Sequence, residues 1–185
     1  DYQEAMRYYL TAEKYALAAH KNYYLGLVYS RIGEVYSEQM NFNGALEYYR
    51  NAYGAWEKLR NPAFMNNATL NIANAYSSLG DNDNAVKYYS QALQAAVQQE
   101  DNDMVIACLS NLGDIYVETE QYAKALEKYL ETRRLSVILE KHEAISTGNL
   151  ALAYYHLGKK GLAEQYFIES LAMSKEEAPV VYSII

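Results

Sequence analysis

The sequence predicts an all-α fold built from repeated pairs of helices. Two observations support this prediction. One set of small and aromatic residues recurs about every 40 residues, and the segments around these residues carry apolar side chains at helical spacing. Short polar turns such as LGDND and LGKK separate the segments. Repeated helix pairs therefore account for nearly the whole chain of 185 residues.

The second helix of each pair is marked by an alanine that is followed four residues later by an aromatic residue. Successive alanines are 40, 40, 40 and 38 residues apart, which is too regular to arise by chance. Residues four apart lie on the same face of a helix, so the pairs predict one buried stripe in each second helix. The pairs are Ala5 with Tyr9, Ala45 with Tyr49, Ala85 with Tyr89, Ala125 with Tyr129, and Ala163 with Phe167.

The first helix of each pair is marked by a small residue twelve positions before the alanine, followed three residues later by a tyrosine. These pairs are Gly33 with Tyr36, Ala73 with Tyr76, Gly113 with Tyr116, and Ala151 with Tyr154. A glycine inside a helix costs about 1 kcal/mol relative to alanine. We expect the small residue to let the two helices of a pair approach closely, so that dispersion contacts offset this cost.

The repeat positions divide the chain into one array, 1–185, with six segments. Residues 1–20 are predicted to be the second helix of a partial repeat, and residues 176–185 the start of a further helix or a cap. Four repeats are predicted between them, at 21–60, 61–100, 101–140 and 141–175. Neither end shows a polar capping unit, so we expect the chain to be part of a longer array. Pro62 after Asn61 predicts a helix start with an asparagine cap.

The repeated motifs resemble those of the tetratricopeptide repeat. The matching stretches are IGEVY-(8)-ALEYYRNA, IANAY-(8)-AVKYYSQA and LGDIY-(8)-ALEKYLET, and LALAY-(8)-AEQYFIES matches more loosely. The resemblance, which is to the bacterial type with a 40-residue period, implies a right-handed superhelical solenoid with a concave inner face. It also implies an interaction scaffold, although this fold alone does not specify an activity.

In this family the inner surface comes mostly from the first helices, and there an asparagine recurs. Two residues before the small position the chain has Arg31, Asn71, Asn111 and Asn149, and one residue after it Glu34, Asn74 and Asp114. An asparagine side chain can donate to a backbone carbonyl and accept from a backbone N–H. The second and third repeats, LNIANAY and SNLGDIY, look like those of peptide-pheromone receptors of the Rap and PlcR type, which implies a peptide clamp. The alternative is that these asparagines only face solvent.

The composition bears on the partner of such a surface. The formal net charge is −7, and no basic run exceeds a pair, which argues against nucleic acid as a ligand. Acidic residues beside the asparagine row favour a basic or neutral protein or peptide segment. No apolar stretch reaches the length needed for membrane insertion.

The sequence predicts no catalytic, metal or cofactor site. His20, His142 and His156 share no metal-ligand spacing with Cys108, and phosphate-binding and nucleophile motifs are absent. Cys108 lies between Ala107 and Leu109 in a predicted first helix, which favours a small buried thiol. The compartment is not fixed by these residues.

Three functions remain open from the sequence. The first is a non-enzymatic scaffold that binds a peptide or protein segment. The second is the peptide-sensing part of a bacterial signalling or transcriptional regulator, since tyrosine-rich repeats of this length resemble those of Bacteroidetes regulators. The third is an assembly module that self-associates through its uncapped ends.

Overall fold

The computed structural model describes residues 2–177, and within this range the chain forms nine α-helices and no strand. The predicted all-α fold is therefore confirmed, while the predicted helix or cap after residue 177 lies outside the described residues. The helices are α1 (Tyr2–Ala18), α2 (Asn22–Glu38), α3 (Phe42–Lys58), α4 (Pro62–Ser78), α5 (Asn82–Gln98), α6 (Asn102–Glu118), α7 (Tyr122–Leu139), α8 (Glu143–His156) and α9 (Lys160–Glu177).

A residue with left-handed backbone conformation follows almost every helix. These residues are spaced 20 apart along most of the chain: His20, Met40, Arg60, Gly80, Glu100, Glu120 and Glu140, with Gly158 after α8. The amide of the next residue bonds back to the helix, as from Asn41 to the carbonyl of Tyr36 at 2.8 Å. Such bonds satisfy carbonyls that the last turn leaves without a helical partner. The next helix starts two residues after the left-handed residue, except that α8 starts three residues after Glu140.

Three of the following helices begin with a side-chain cap. Asn41, Asn61 and Asp81 each accept a hydrogen bond from the backbone amide three residues further on. The cap predicted at Asn61 ahead of Pro62 is confirmed, with the Phe64 amide 3.2 Å from its Oδ1. These caps fix where the second helices α3 and α5 start, and hence the register of their side chains.

Consecutive helices within a repeat run antiparallel. In α2 and α3, Gly26 near the start of one helix lies against Trp56 near the end of the other, and Tyr36 near the end of α2 lies against Gly44 near the start of α3. Pairs of this kind place the first helix of each repeat beside its second helix along their whole length.

The chain forms two compact units, Asp1–Asp101 and Asn102–Ile185. The first contains α1–α5, with a core cluster formed by Ala45, Leu46, Tyr49, Ile72 and Ala75. The second contains α6–α9, with a corresponding cluster formed by Ala125, Tyr129, Leu150 and Ala153. In both units the aromatic residue of a second helix packs against the first helix of the following repeat.

The tyrosines of the second helices also lie directly over glycines of the first helices. A Cβ added to Gly33 would lie 2.5 Å from the Tyr49 ring, and one added to Gly113 would lie 2.3 Å from the Tyr129 ring. Distances this short are far below van der Waals contact. The glycines therefore give the tyrosine rings the space in which they are buried.

Candidate functional site

The first helix α4 has two opposite faces with different roles. Since successive residues turn about 100° around a helix, Asn67, Asn71, Asn74 and Ser78 share one face. Thr69, Ile72 and Tyr76 lie on the opposite face, and Ile72 belongs to the core cluster with Tyr49. The asparagine face of α4 is half-buried at Asn71 and exposed at Asn67, Asn74 and Ser78.

The amide row consists of Asn71 in α4, Asn111 in α6 and Asn149 in α8, all at the same repeat position and all half-buried. Neither Asn71 nor Asn149 makes a side-chain hydrogen bond to any residue in the described part of the chain. A half-buried amide has both donors and acceptors and is held by its helix at a fixed position.

Arg31 takes the corresponding position in α2 and differs from the asparagines. Its guanidinium forms an ion pair with Glu34 at 2.7 Å, and both side chains are exposed. The hydrogen bond to Glu34, followed by its charge, raises the pKa of Arg31. An exposed pair of this kind contributes little to stability.

The positions of Asn74 and Asp114 have a second role that the sequence analysis did not predict. Asn74 Oδ1 accepts a hydrogen bond from the Tyr89 hydroxyl at 2.6 Å, and Asp114 Oδ1 accepts one from the Tyr129 hydroxyl at 2.5 Å. Both acceptors still reach the surface. The recurring fifteen-residue spacing between acceptor and tyrosine is the sequence signal that reveals this role.

Burial shifts the titration of the groups in these bonds. Desolvation raises the pKa of Asp114, and the hydrogen bond from Tyr129 opposes that effect. Desolvation, then the bond to Asp114, raises the pKa of Tyr129. In the first repeat, desolvation and the charge of Glu34 raise the pKa of Tyr49 to about 12. These tyrosines are therefore neutral donors at physiological pH.

Stacked tyrosine pairs form a second recurring feature, with one ring from each helix of a repeat. Tyr36 stacks on Tyr48 and Tyr76 on Tyr88, with ring centroids 5.5 and 5.4 Å apart. Tyr154 and Tyr166 repeat the arrangement at 5.4 Å. The sequence analysis assigned no pairing to these rings, yet the twelve-residue spacing between partners recurs. The stacks join the helices of a pair on the side away from the amide row.

A cavity of about 630 Å³ between α3, α4 and α5 is the other feature that the sequence analysis missed. It lies on the Thr69 and Ile72 side of α4, so it is separate from the amide row. Cys108 is fully buried, as predicted. Among residues 2–177, no cluster of histidine, cysteine and carboxylate side chains is suited to hold a metal ion. No helix in the same range is long and apolar enough to span a membrane.

Comparison with known proteins identifies the repeat. Two family models, both described as tetratricopeptide repeat, match residues 64–136 and 144–178, which together make up more than half of the chain. The 43 kDa receptor-associated protein of the synapse from Tetronarce californica is 24% identical over 161 residues, which are 82% of this chain and 39% of that protein.

Solved structures show the same fold at lower identity. The apo form of RapI superposes with a TM-score of 0.89 at 12% identity, over 97% of this chain and 66% of that one. The Rap conjugation gene regulator of the plasmid pLS20, solved with the Phr* peptide, gives a TM-score of 0.74 at 17% identity, over 95% of this chain and 49% of that one. At these identities the likeness establishes the fold alone. This chain spans less than two thirds of the length of each of these three proteins.

Proposed function

Because the chain belongs to the tetratricopeptide repeat family, we propose that it is a non-enzymatic scaffold whose amide row binds an extended segment of a protein or peptide. The observation that carries the proposal is the recurrence of a half-buried asparagine at one position of α4, α6 and α8. An asparagine amide carries both a donor and an acceptor, which suits the backbone of an extended chain, whose N–H and C=O groups alternate.

The charges near the amide row favour a basic or neutral segment. Glu38 and Glu118 are exposed at the ends of α2 and α6, and Glu34 and Asp114 lie one turn earlier on the same helices. Complementary charge speeds association and rejects acidic competitors more than it adds affinity. We therefore expect the asparagines to supply affinity and the carboxylates to supply selectivity.

A random peptide library displayed on phage tests this proposal without a known partner. Peptides selected on the 185-residue chain are then measured against a variant with Asn71→Ala and Asn111→Ala. We expect the double variant to lose at least about tenfold in affinity, since each asparagine contributes on the order of 1 kcal/mol through hydrogen bonds. Its circular dichroism spectrum remains helical.

The matched control removes two exposed amides from second helices, Asn51→Ala with Gln94→Ala. This variant is expected to retain the affinity of the wild type. Equal affinity of all three proteins for the selected peptides contradicts the proposal, because the peptides then bind elsewhere. Loss of binding in the control alone contradicts it as well.

A sensory role is the second candidate. It is favoured by the fold shared with Rap proteins, one of which was solved with a peptide. A sensor requires an effector domain that responds to the peptide, whereas a scaffold does not. The sequence that flanks this segment in the intact protein distinguishes the two: a DNA-binding or kinase domain next to the repeats supports the sensor.

A further inference from the structure

The cavity between α3, α4 and α5 has a volume of about 630 Å³. All three helices contribute to its wall, with Arg50 and Tyr53 from α3, Met65 and Ile72 from α4, and Ala95 from α5. Cavities of roughly 300–1,000 Å³ are typical of ligand sites.

Amide side chains and apolar side chains share the wall of this cavity. Asn66, which is buried, lines it together with Gln91 and Gln98, while Met65 and Ile72 supply apolar surface. Convergent amides beside an apolar wall suit a ligand that has both peptide groups and an apolar side chain.

Arg50 is the one charged side chain among the residues that line the cavity in the described part of the chain. The charge at the cavity is therefore opposite in sign to the charge along the amide row. A carboxylate on a ligand would meet a cation here and no competing acid.

Neighbouring aromatic rings hold Arg50 in place. Its guanidinium lies 5.8 Å from the centroid of the Tyr76 ring and donates to the Tyr76 hydroxyl, and Tyr76 stacks on Tyr88. A guanidinium has five N–H donors, so one bond to Tyr76 leaves others for a carboxylate. At the opposite end of α4, Gln99 Nε2 lies 3.5 Å from the carbonyl of Pro62 and ties α5 to α4.

We propose that this cavity binds a short peptide segment in which an apolar side chain stands next to a carboxylate. Met65 and Ile72 receive the apolar side chain, the amides of Asn66, Gln91 and Gln98 bind the peptide groups, and Arg50 pairs with the carboxylate. This site is independent of the amide row, because it lies on the opposite face of α4 and selects the opposite charge. The protein then has two recognition surfaces in its first unit.

Nuclear magnetic resonance with three synthetic probes tests the proposal on the 185-residue chain. The probes are acetyl-Leu-Asp-Leu amide, the uncharged acetyl-Leu-Asn-Leu amide and the cationic acetyl-Leu-Lys-Leu amide. We expect the aspartate probe to shift the side-chain amide signals of Gln91 and Gln98, and to bind about tenfold more tightly than the asparagine probe, as expected for a charge-assisted hydrogen bond. The lysine probe is expected to bind more weakly than both.

Two variants and two controls locate the site. Arg50→Gln is expected to abolish the preference for the aspartate probe, and Ala95→Phe to block all three probes by filling the cavity. Gln94→Ala on α5 and Lys58→Gln on α3, two exposed residues that do not line the cavity, are expected to leave binding unchanged. The proposal is overturned if the aspartate probe does not bind, if it binds no better than the asparagine probe, or if Ala95→Phe with intact amide signals binds it as the wild type does.

Discussion

The helix pairs α6/α7 and α8/α9 follow the same repeat pattern but bury their aromatic residues to different extents. Tyr129 is 0% exposed, lies over Gly113 and donates to Asp114 at 2.5 Å. Phe167 is 49% exposed, and Leu152 stands where α6 has Asp114. The pair α6/α7 thus has both the tyrosine hydroxyl and its carboxylate acceptor, whereas the pair α8/α9 has neither.

From this difference we expect that two residues fifteen apart act as one unit. Tyr89 and Asn74 form the same bond in the first unit of the chain. A buried hydroxyl without a partner is costly, so a phenylalanine is compatible with an apolar residue at the acceptor position. The row that contains Asn74 and Asp114 therefore serves helix packing as well as the surface.

The largest effect is expected when each aromatic residue is truncated. Tyr129→Ala leaves a cavity in a fully buried position and is expected to lower the free energy of unfolding by about 3–5 kcal/mol. Phe167→Ala removes a ring that is half in solvent and is expected to cost about 1 kcal/mol or less. Urea unfolding followed by circular dichroism measures both. Equal losses of unfolding free energy in the two variants would show that the different exposure of Tyr129 and Phe167 has no effect on stability.

The glycines provide the next test, and the expected signs are opposite. Gly113→Ala places a Cβ against the Tyr129 ring and is expected to destabilise by about 2 kcal/mol, since overpacking outweighs the gain in helix propensity. Gly161 in α9 has no atom within 4 Å of an added Cβ. Gly161→Ala is therefore expected to stabilise by up to about 1 kcal/mol. Thermal unfolding of the two variants checks the signs, and stabilisation by Gly113→Ala would refute close contact with Tyr129.

Replacing Tyr129 and Asp114 of α6/α7 with phenylalanine and leucine, the residues at these positions in α8/α9, tests whether Tyr129 and Asp114 act as a unit. Tyr129→Phe alone is expected to cost about 1.5 kcal/mol, because Asp114 loses its donor. Adding Asp114→Leu recreates the Leu152 and Phe167 combination and is expected to recover part of this loss. A double-mutant cycle from urea unfolding gives the coupling. Strictly additive costs would mean that the two residues act independently.

The last expected effect occurs at alkaline pH. Tyr49 is neutral in the folded protein, and burial followed by the charge of Glu34 raises its pKa from the usual 10 to about 12. The unfolded chain loses this proton first, so the stabilisation is present below pH 10 and is lost as the pH rises from 10 to 12. The urea midpoint measured across this window is expected to fall less steeply in Tyr49→Phe. Identical curves for variant and wild type would show that Tyr49 does not carry this dependence.

The sequence predicts the helix pairs because each repeat carries the same small and aromatic residues at the same spacing. In the sequence alone, Gly33 and Gly113 also indicate that the two helices of a repeat approach closely. The hydrogen bonds of Asn74 and Asp114 were missed because each residue was assigned to a single face of its helix. A polar side chain at the border of two faces can reach both.

The cavity was missed for a different reason. It is the space between side chains of α3, α4 and α5, and a repeat pattern records the residues that recur and not the space between them. The partner of the amide row is likewise not encoded in the repeat, since the family pattern describes packing positions.

The most direct test of the central claim is a map of side-chain amide shifts when a library-selected peptide is added to the full chain. The account predicts that the largest shifts occur at Asn71, Asn111 and Asn149, with little change at Asn51 and Gln94 on the second helices. Shifts confined to the second helices would contradict the claim that the amide row binds the peptide.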